Sequence, residues 1–260
     1  MNTQHVMQLW VVCLNIIFGL GIGQELFGAS QHNGLLDQRN SEKTSPGSPE
    51  HLLRNGLNKI DAGLMVVLER ACQTKEDKKH KPCRALDFGI DVGIYADYLT
   101  KVSARTVVGV EFPPLAPGTK SPYAGLFKNV KRSAVEVPGI GAAAPLAGNG
   151  LATLIGDLGG PFDLVYSVDA VAEDASNGSY LSKSETQDAL AQFLFAAGDA
   201  GSTLIFAAEG AGDRSAKNWR VRLVQAGWKY DEFETKSAQQ KADRLHKNKH
   251  SAGLLVFQRL

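Results

Sequence analysis

The sequence predicts an α/β protein built on a doubly wound, mostly parallel sheet with a C-terminal antiparallel strand. Short apolar runs alternate with helical patterns over residues 48–260, which is typical of a sheet covered by helices on both faces. A strand, a tight glycine turn and a helix follow one another over residues 84–99. The last two predicted strands have no helical pattern between them, so we expect them to pair as a hairpin with the final strand antiparallel.

The chain of 260 residues begins with an apolar segment, residues 6–23, which a polar stretch follows. This arrangement is typical of a secretory signal peptide or a single membrane anchor over residues 1–30. We therefore expect a polar linker over residues 31–47 and one domain over residues 48–260. The expected location is the secretory pathway: the endoplasmic reticulum or Golgi lumen, membrane-anchored, or secreted. No Lys or Arg precedes the apolar segment, so a buried N-terminal helix is the alternative.

Two cysteines flank a highly charged stretch in front of the glycine turn. Cys72 and Cys83 lie outside the apolar segment, and residues 73–82 separate them. In a secretory context an even number of cysteines favours a disulfide, which would hold this loop. Two free thiols beside a surface loop are the alternative. A metal site is not expected, because even with His80 the cluster lacks a fourth ligand.

The elements of the first half follow from apolar spacing. Ser48 and Pro49 are typical of a helix start, and apolar residues then repeat at helical spacing up to Ala71. The pattern next predicts a strand from Arg84, a helix from Ile94, a strand over Thr106–Val110 and a short strand over 130–137. Stretches rich in Pro or Gly after the second and third strands predict loops.

The second half repeats the alternation. The predicted elements are a buried strand to Val168, a helix from the Ser184 capping box to Gly198, a strand over 203–208, a helix over 215–226, a strand over 228–234 and a last strand over 252–258. The basic segment 236–250 is interpreted as a solvated loop between the last two strands; binding of an acidic acceptor is the alternative.

The glycine turn reads Asp87-Phe-Gly89-Ile-Asp91-Val-Gly93. Glycines at this position let the backbone approach a nucleotide-like ligand. Glu111 ends the next strand, about twenty residues on, where an acid hydrogen-bonds ribose hydroxyls. A pyrophosphate would be repelled by the two aspartates. A ligand with a cationic centre and a free amino group would be attracted.

The turn resembles motif I of the class I S-adenosylmethionine-dependent methyltransferases, D/E-x-G-x-G-x-G, with Asp91 in place of the middle glycine. By motif and by predicted topology the resemblance covers residues 48–260, and it implies the Rossmann-like fold of that superfamily with S-adenosyl-L-methionine as the cofactor. The cofactor-binding residues implied are Asp87, Gly89, Asp91, Gly93, Glu111 and Asp157. Asp87 and Asp91 would contact the methionine amino group, Glu111 the ribose, and Asp157 the adenine, with Ser133 or Glu136 as alternatives for the adenine.

Residues 162–169 resemble motif IV of the same superfamily, whose end faces the methyl acceptor. Asp169 or Glu173 would take a proton from an acceptor hydroxyl; none of the six histidines lies at a predicted strand end. A deprotonated amine or thiol would need no base, because positioning supplies much of the rate. The expected acceptor is an O or N nucleophile of a small molecule or glycan. Metal dependence through Asp169, Glu173 and Asp174 is weakly supported, since a solvated helix start explains them.

Composition excludes some partners and leaves other functions open. A net charge of +1 offers no electrostatic reason to expect nucleic acid binding. A methyltransferase-fold protein without activity would explain the missing middle glycine. An NAD(P)-dependent oxidoreductase would need a third glycine that does not follow Gly89 at the required spacing. A non-enzymatic secreted interaction domain is the remaining alternative.

Overall fold

The computed structural model describes residues 62–79, 81–90, 93–103, 106–111, 123, 127, 130–133, 137, 150–168, 184–208, 213–245 and 253–260. The predicted signal segment over 1–30, the linker over 31–47 and the predicted helix start at Ser48 lie outside these ranges. No helix within them is long and apolar enough to cross a membrane.

The described residues form seven strands and six helices in alternation. The strands are β1 Arg84–Phe88, β2 Thr106–Val110, β3 Lys131–Ser133, β4 Phe162–Val168, β5 Gly198–Ala208, β6 Lys229–Tyr230 and β7 Gly253–Gln258. The helices are α1 Ala62–Lys79, α2 Ile94–Ser103, α3 Gly150–Asp157, α4 Ser184–Ala197, α5 Asp213–Ala226 and α6 Glu232–Leu245.

The strands form one sheet in the order β3-β2-β1-β4-β5-β7-β6. Strands β1 to β5 pair in parallel, whereas β7 runs antiparallel to both of its neighbours, β5 and β6. The prediction of a mostly parallel sheet with a C-terminal antiparallel strand is therefore confirmed. The chain winds outwards from β1 to β3 and then returns to place β4 on the other side of β1. The carboxyl ends of β1 and β4 thus lie beside a topological switch point, where open α/β sheets bind ligands.

Two groups of helices cover the sheet. Helix α4 packs against α3 and α5, and these three helices enclose an apolar core with alternate residues of the strands, among them Leu86, Phe88, Val165 and Phe206. Helix α1 packs against α2 and α6. Because side chains alternate along a strand, Asp87 faces away from the core that receives Leu86 and Phe88.

The C-terminal region differs from the prediction. Instead of a strand over 228–234 and a basic loop, the chain forms the two-residue strand β6 and then helix α6 to Leu245. The side chain of Asp231 accepts a hydrogen bond from the amide of Glu234 (2.9 Å), which caps the helix. Ala238 and Ala242 are buried against neighbouring elements, and a Cβ on Gly63 of α1 would lie only 2.3 Å from Cα of Ala242. Small residues therefore let α1 and α6 approach closely, and short alanines gave too weak an apolar pattern to predict this helix.

Cys72 and Cys83 form a disulfide that joins α1 to the residue before β1. Both cysteines are fully buried. The predicted disulfide is therefore confirmed, but most of the charged stretch is not a loop, because residues 73–79 form the last turns of α1.

A buried aspartate organises the edge of the sheet where β1 and β4 begin. The Asp163 carboxylate accepts hydrogen bonds from Nζ of Lys79 (2.7 Å) and from the amide of Arg84 (3.0 Å). Lys79 also pairs with Asp199 at 3.1 Å. Burial opposes ionisation of Asp163, but these hydrogen bonds and the charge of Lys79 outweigh it and hold its pKa below the ordinary value. The cluster ties α1 to β1, β4 and β5, far from the glycine turn.

Candidate functional site

The glycine turn connects β1 to α2 at the carboxyl edge of the sheet. Gly89 and Gly93 have φ angles of 80° and 90°, a conformation that other residues rarely adopt. The amides of Gly89 and Ile90 both donate to the carbonyl of Val110, at 2.8 and 3.1 Å. The turn is thereby held against the end of β2, close to Glu111, as the sequence predicts for a ligand cradle.

A glycine that the sequence analysis did not single out leaves space for this turn to pack against β2. A Cβ on Gly109 of β2 would lie 1.9 Å from Cδ1 of Ile90, so the Ile90 side chain occupies the space that a larger residue would fill. Ile90 is buried, with 4% exposure. A glycine inside an apolar strand signals such a close approach, and this signal was present in the sequence.

Asp87 lies on β1, buried with 4% exposure, directly opposite Tyr166 in the register of the parallel pair β1–β4. Side chains of register partners project to the same face of a sheet. Burial raises the pKa of Tyr166 well above its ordinary value, and the negative charge of the neighbouring Asp87 raises it further. Tyr166 is thus a neutral phenol next to the first acid of the glycine motif.

Glu111 follows β2 and is 7% exposed. Its amide donates to the carbonyl of Ser133 at 3.3 Å, which extends the β2–β3 ladder to this residue. Its carboxylate oxygen Oε1 accepts a hydrogen bond from Nη1 of Arg132 in β3 at 2.9 Å. Both charged side chains are largely buried, so this ion pair is not a solvent-exposed surface salt bridge.

Arg132 extends from Glu111 to the glycine turn. Its Nη2 lies 2.7 Å from the position that a Cβ would take on Gly93, and its guanidinium carbon lies 5.6 Å from the ring centroid of Tyr123. The sequence analysis missed Arg132, because a basic residue on a short, partly exposed strand carries no pattern that distinguishes it from a solvated one. Only the pairing of β2 with β3 reveals its position.

The expected role of Asp157 is wrong. Asp157 is exposed and is the last residue of α3, and the chain then turns through Gly159 and Gly160 to enter β4 at Phe162. Because β4 is parallel to β1, the beginning of β4 lies at the edge opposite the glycine turn. The resemblance implied that Asp157 contacts the adenine, but the described residues place it at the end of a helix, at the opposite edge of the sheet.

Three predicted site residues, Asp91, Asp169 and Glu173, lie outside the described residues, as does the alternative Glu136. Their roles remain predictions. Ser133 lies at the end of β3, where its carbonyl accepts the amide of Glu111. Within the described ranges no group of three or more His, Cys, Asp or Glu side chains is placed to hold a metal ion.

No protein-family model matches the chain, and no curated protein is detectably similar to it. Among solved structures, a TehB-like SAM-dependent methyltransferase from Corynebacterium glutamicum is 14% identical, with a TM-score of 0.49, and the match covers 83% of this chain and all of the other. A sugar N-methyltransferase from a Streptoalloteichus species is also 14% identical, with a TM-score of 0.48, and 81% and 92% of the two chains are covered.

A third similar structure is the magnesium protoporphyrin IX methyltransferase from Synechocystis with bound SAM. It is 14% identical, with a TM-score of 0.46, and 82% of this chain and 84% of that one are covered. Each of these activities belongs to the solved protein, and a shared fold does not carry an activity with it. By its own strand order, its antiparallel β7 and the glycine turn after β1, the chain has the Rossmann-like fold of the class I S-adenosylmethionine-dependent methyltransferases.

Proposed function

We propose that the chain is an S-adenosylmethionine-dependent methyltransferase that acts on an O or N nucleophile of a small molecule or glycan. One observation supports this most strongly. Two buried acids, Asp87 and Glu111, lie at the ends of the adjacent parallel strands β1 and β2, on either side of a turn that two positive-φ glycines form. The ligand that suits this cradle carries ribose hydroxyls and a positive charge, and has no pyrophosphate.

The residues at the turn fit the cofactor. Gly89 and Gly93 have no side chains to keep a ligand away from the backbone, and Glu111 is placed where an acid accepts hydrogen bonds from ribose hydroxyls. Asp87 would attract the methionine amino group. When bound, S-adenosylmethionine supplies a methyl group on a positively charged sulfur.

The acceptor would approach from the end of β4. Asp169 follows β4 directly in the chain, and Glu173 comes four residues later. Either carboxylate would take the proton of an acceptor hydroxyl, whereas a neutral amine would need only to be held in line with the methyl group. The two acids are therefore the residues to change first once an acceptor is known.

A second candidate function is that of a methyltransferase-fold protein without catalytic activity. The observation that favours it is the position of Arg132, whose guanidinium lies between Glu111 and the glycine turn. If Arg132 remained there permanently, the ribose would have no place beside Glu111. Methyl transfer is preferred because both acids of the cradle, Asp87 and Glu111, are present, and the Arg132 side chain can rotate away from them.

We further propose that the protein works in the secretory pathway. The buried disulfide between Cys72 and Cys83 supports this, because structural disulfides form and persist in oxidising compartments. The apolar segment 6–23 would direct the chain there. Mass spectrometry of the protein from its native cells, alkylated without reduction, tests the proposal: free thiols at both positions would contradict it.

Calorimetric titration of the purified full-length chain tests the proposed function. S-adenosylmethionine and S-adenosylhomocysteine are the ligands, and NAD is the control. We expect binding of the first two that Asp87→Asn weakens about tenfold or more, through the loss of one charge-assisted hydrogen bond.

Matched control variants are Asp77→Asn on α1 and Glu185→Gln on α4, both exposed acids. These should bind as the unchanged chain does. Binding of NAD without binding of either methionine derivative, in a folded sample, would replace the proposal with the oxidoreductase alternative.

A further inference from the structure

We infer that Arg132 limits the affinity of the ribose subsite by competing with the ligand for Glu111. The inference rests on the proposed function, because it concerns the same subsite. Arg132 would be the partner of the Glu111 carboxylate when no ligand is bound, and a ligand that carries ribose hydroxyls would have to displace it. Neither the fold nor the glycine motif implies such a residue.

The geometry supports competition because one guanidinium reaches both walls of the subsite. Nη1 of Arg132 lies 2.9 Å from Oε1 of Glu111, and Nη2 lies 2.7 Å from the position of a Cβ on Gly93. The distance to Gly93 is shorter than any ordinary contact with a carbon atom. Arg132 therefore fills the gap that the absence of a side chain at Gly93 creates, which is the gap that the backbone would offer to a ribose.

Burial strengthens the interaction that holds Arg132 beside Glu111. The side chains of Arg132 and Glu111 are 12% and 8% exposed. Ionic hydrogen bonds are roughly twice as strong as neutral ones, and they are screened less when they are buried. Tyr123 adds a ring within cation–π range of the guanidinium.

Exchange of Arg132 for a ribose replaces a hydrogen bond between two opposite charges with hydrogen bonds from neutral hydroxyls to the same carboxylate. The ligand must therefore recover the difference through its remaining contacts, such as those of its amino group with Asp87. A ligand with the whole set of groups would displace the arginine, whereas a nucleoside fragment that carries only the ribose and base would do so poorly. The displacement therefore costs both ligands the same free energy, and only the complete cofactor has further contacts that recover it.

The experiment is calorimetric titration of the full-length chain with S-adenosylhomocysteine and with adenosine. Arg132→Met removes the charge and keeps much of the apolar length. We expect it to bind both ligands more tightly than the unchanged chain, by about fivefold or more for adenosine. In a chain that already carries Glu111→Gln, the same change should tighten binding much less, because the competitor and the ligand then share no charged partner.

The matched control is Arg220→Met. Arg220 also lies over a tyrosine ring, 4.3 Å from the centroid of Tyr230, but on α5. Its substitution removes an arginine of the same kind and should leave ligand binding unchanged. Arg132→Lys is the second variant, in case Arg132→Met does not fold. A shorter ammonium can pair with Glu111 without covering the turn, so binding should again be tighter than in the unchanged chain.

The outcomes separate the two proposals. If the unchanged chain binds S-adenosylhomocysteine and neither Arg132 variant binds it more tightly, the competition is disproved while the proposed function stands. Binding by the Arg132 variants alone would support both. If no variant binds although circular dichroism shows that it is folded, both proposals are overturned.

Discussion

Asp87 and Tyr166 occupy matched positions on the neighbouring parallel strands β1 and β4, with both side chains buried on the same face of the sheet. The sequence offers Asp87 as the first acid of a cofactor motif, and Tyr166 belongs to the strand that resembles motif IV. The register of β1 and β4 brings these two motifs side by side, with the buried phenol next to the buried acid.

This pairing predicts how stability changes in alkali. The folded-state pKa of Tyr166 is raised above the ordinary value of 10.0, so the folded protein holds the phenol proton to higher pH than the unfolded chain does. The stability that this provides is complete below pH 10 and declines as the pH rises towards the folded-state pKa. In Tyr166→Phe this part of the decline should be absent, as urea unfolding between pH 9 and about 11 would show. An equally steep decline in the variant would contradict the prediction.

The Asp163 cluster predicts the opposite dependence in acid. The folded-state pKa of Asp163 lies below the ordinary value of 3.8, so the contribution of this carboxylate to stability is present above that pH and is lost as the pH falls through the folded-state pKa. Asp163→Asn should therefore lower stability at neutral pH and flatten the loss below about pH 4. Acid titrations followed by circular dichroism measure this, with Glu185→Gln as the exposed control. Parallel curves for Asp163→Asn and the unchanged chain would refute it.

Gly109 predicts a steric effect on the glycine turn. Gly109→Ala would push its new methyl group into Ile90, and overpacking of this kind destabilises by about 1–3 kcal/mol. Adding Ile90→Ala should restore part of the loss, because the added methyl group then has space. Urea unfolding of the single and double variants measures both effects.

The matched control for Gly109 is Gly156→Ala on α3, where a Cβ would meet nothing within 4 Å. In a helix this change should be neutral or stabilise by up to about 1 kcal/mol. If Gly109→Ala proved as harmless as Gly156→Ala, Ile90 would not pack against Gly109 as described.

The disulfide predicts a loss of stability on reduction. Its cysteines are 11 positions apart, and removal of a native disulfide from a small secreted domain typically costs about 2–5 kcal/mol. The paired variant Cys72→Ser with Cys83→Ser should unfold at a lower temperature than the oxidised chain, and reducing agent should no longer affect it. Thermal unfolding with and without reductant tests this. Reductant that left the unchanged chain's midpoint unaltered would count against a structural role.

Local sequence patterns determined much of the fold. An apolar run, an acid, two spaced glycines and a helical pattern are enough to predict β1, its turn and α2, since each depends on neighbours in the chain. The same reasoning predicts β2 with Glu111 at its end and the buried strands β4, β5 and β7. Where the pattern is short or carried by small residues, as in α6 and around Asp157, it fails, because alanines and glycines leave little apolar period to detect.

The sequence by itself determined the fold class, the glycine turn and the two acids Asp87 and Glu111 beside it. The tertiary structure alone decided what faces those acids. Tyr166 meets Asp87 because β4 returns to pair with β1, and Arg132 meets Glu111 because β3 pairs with β2. The physical reason is that hydrogen bonds between strands bring together residues that are 79 and 21 positions apart in the chain, and no local periodicity records which strands will pair.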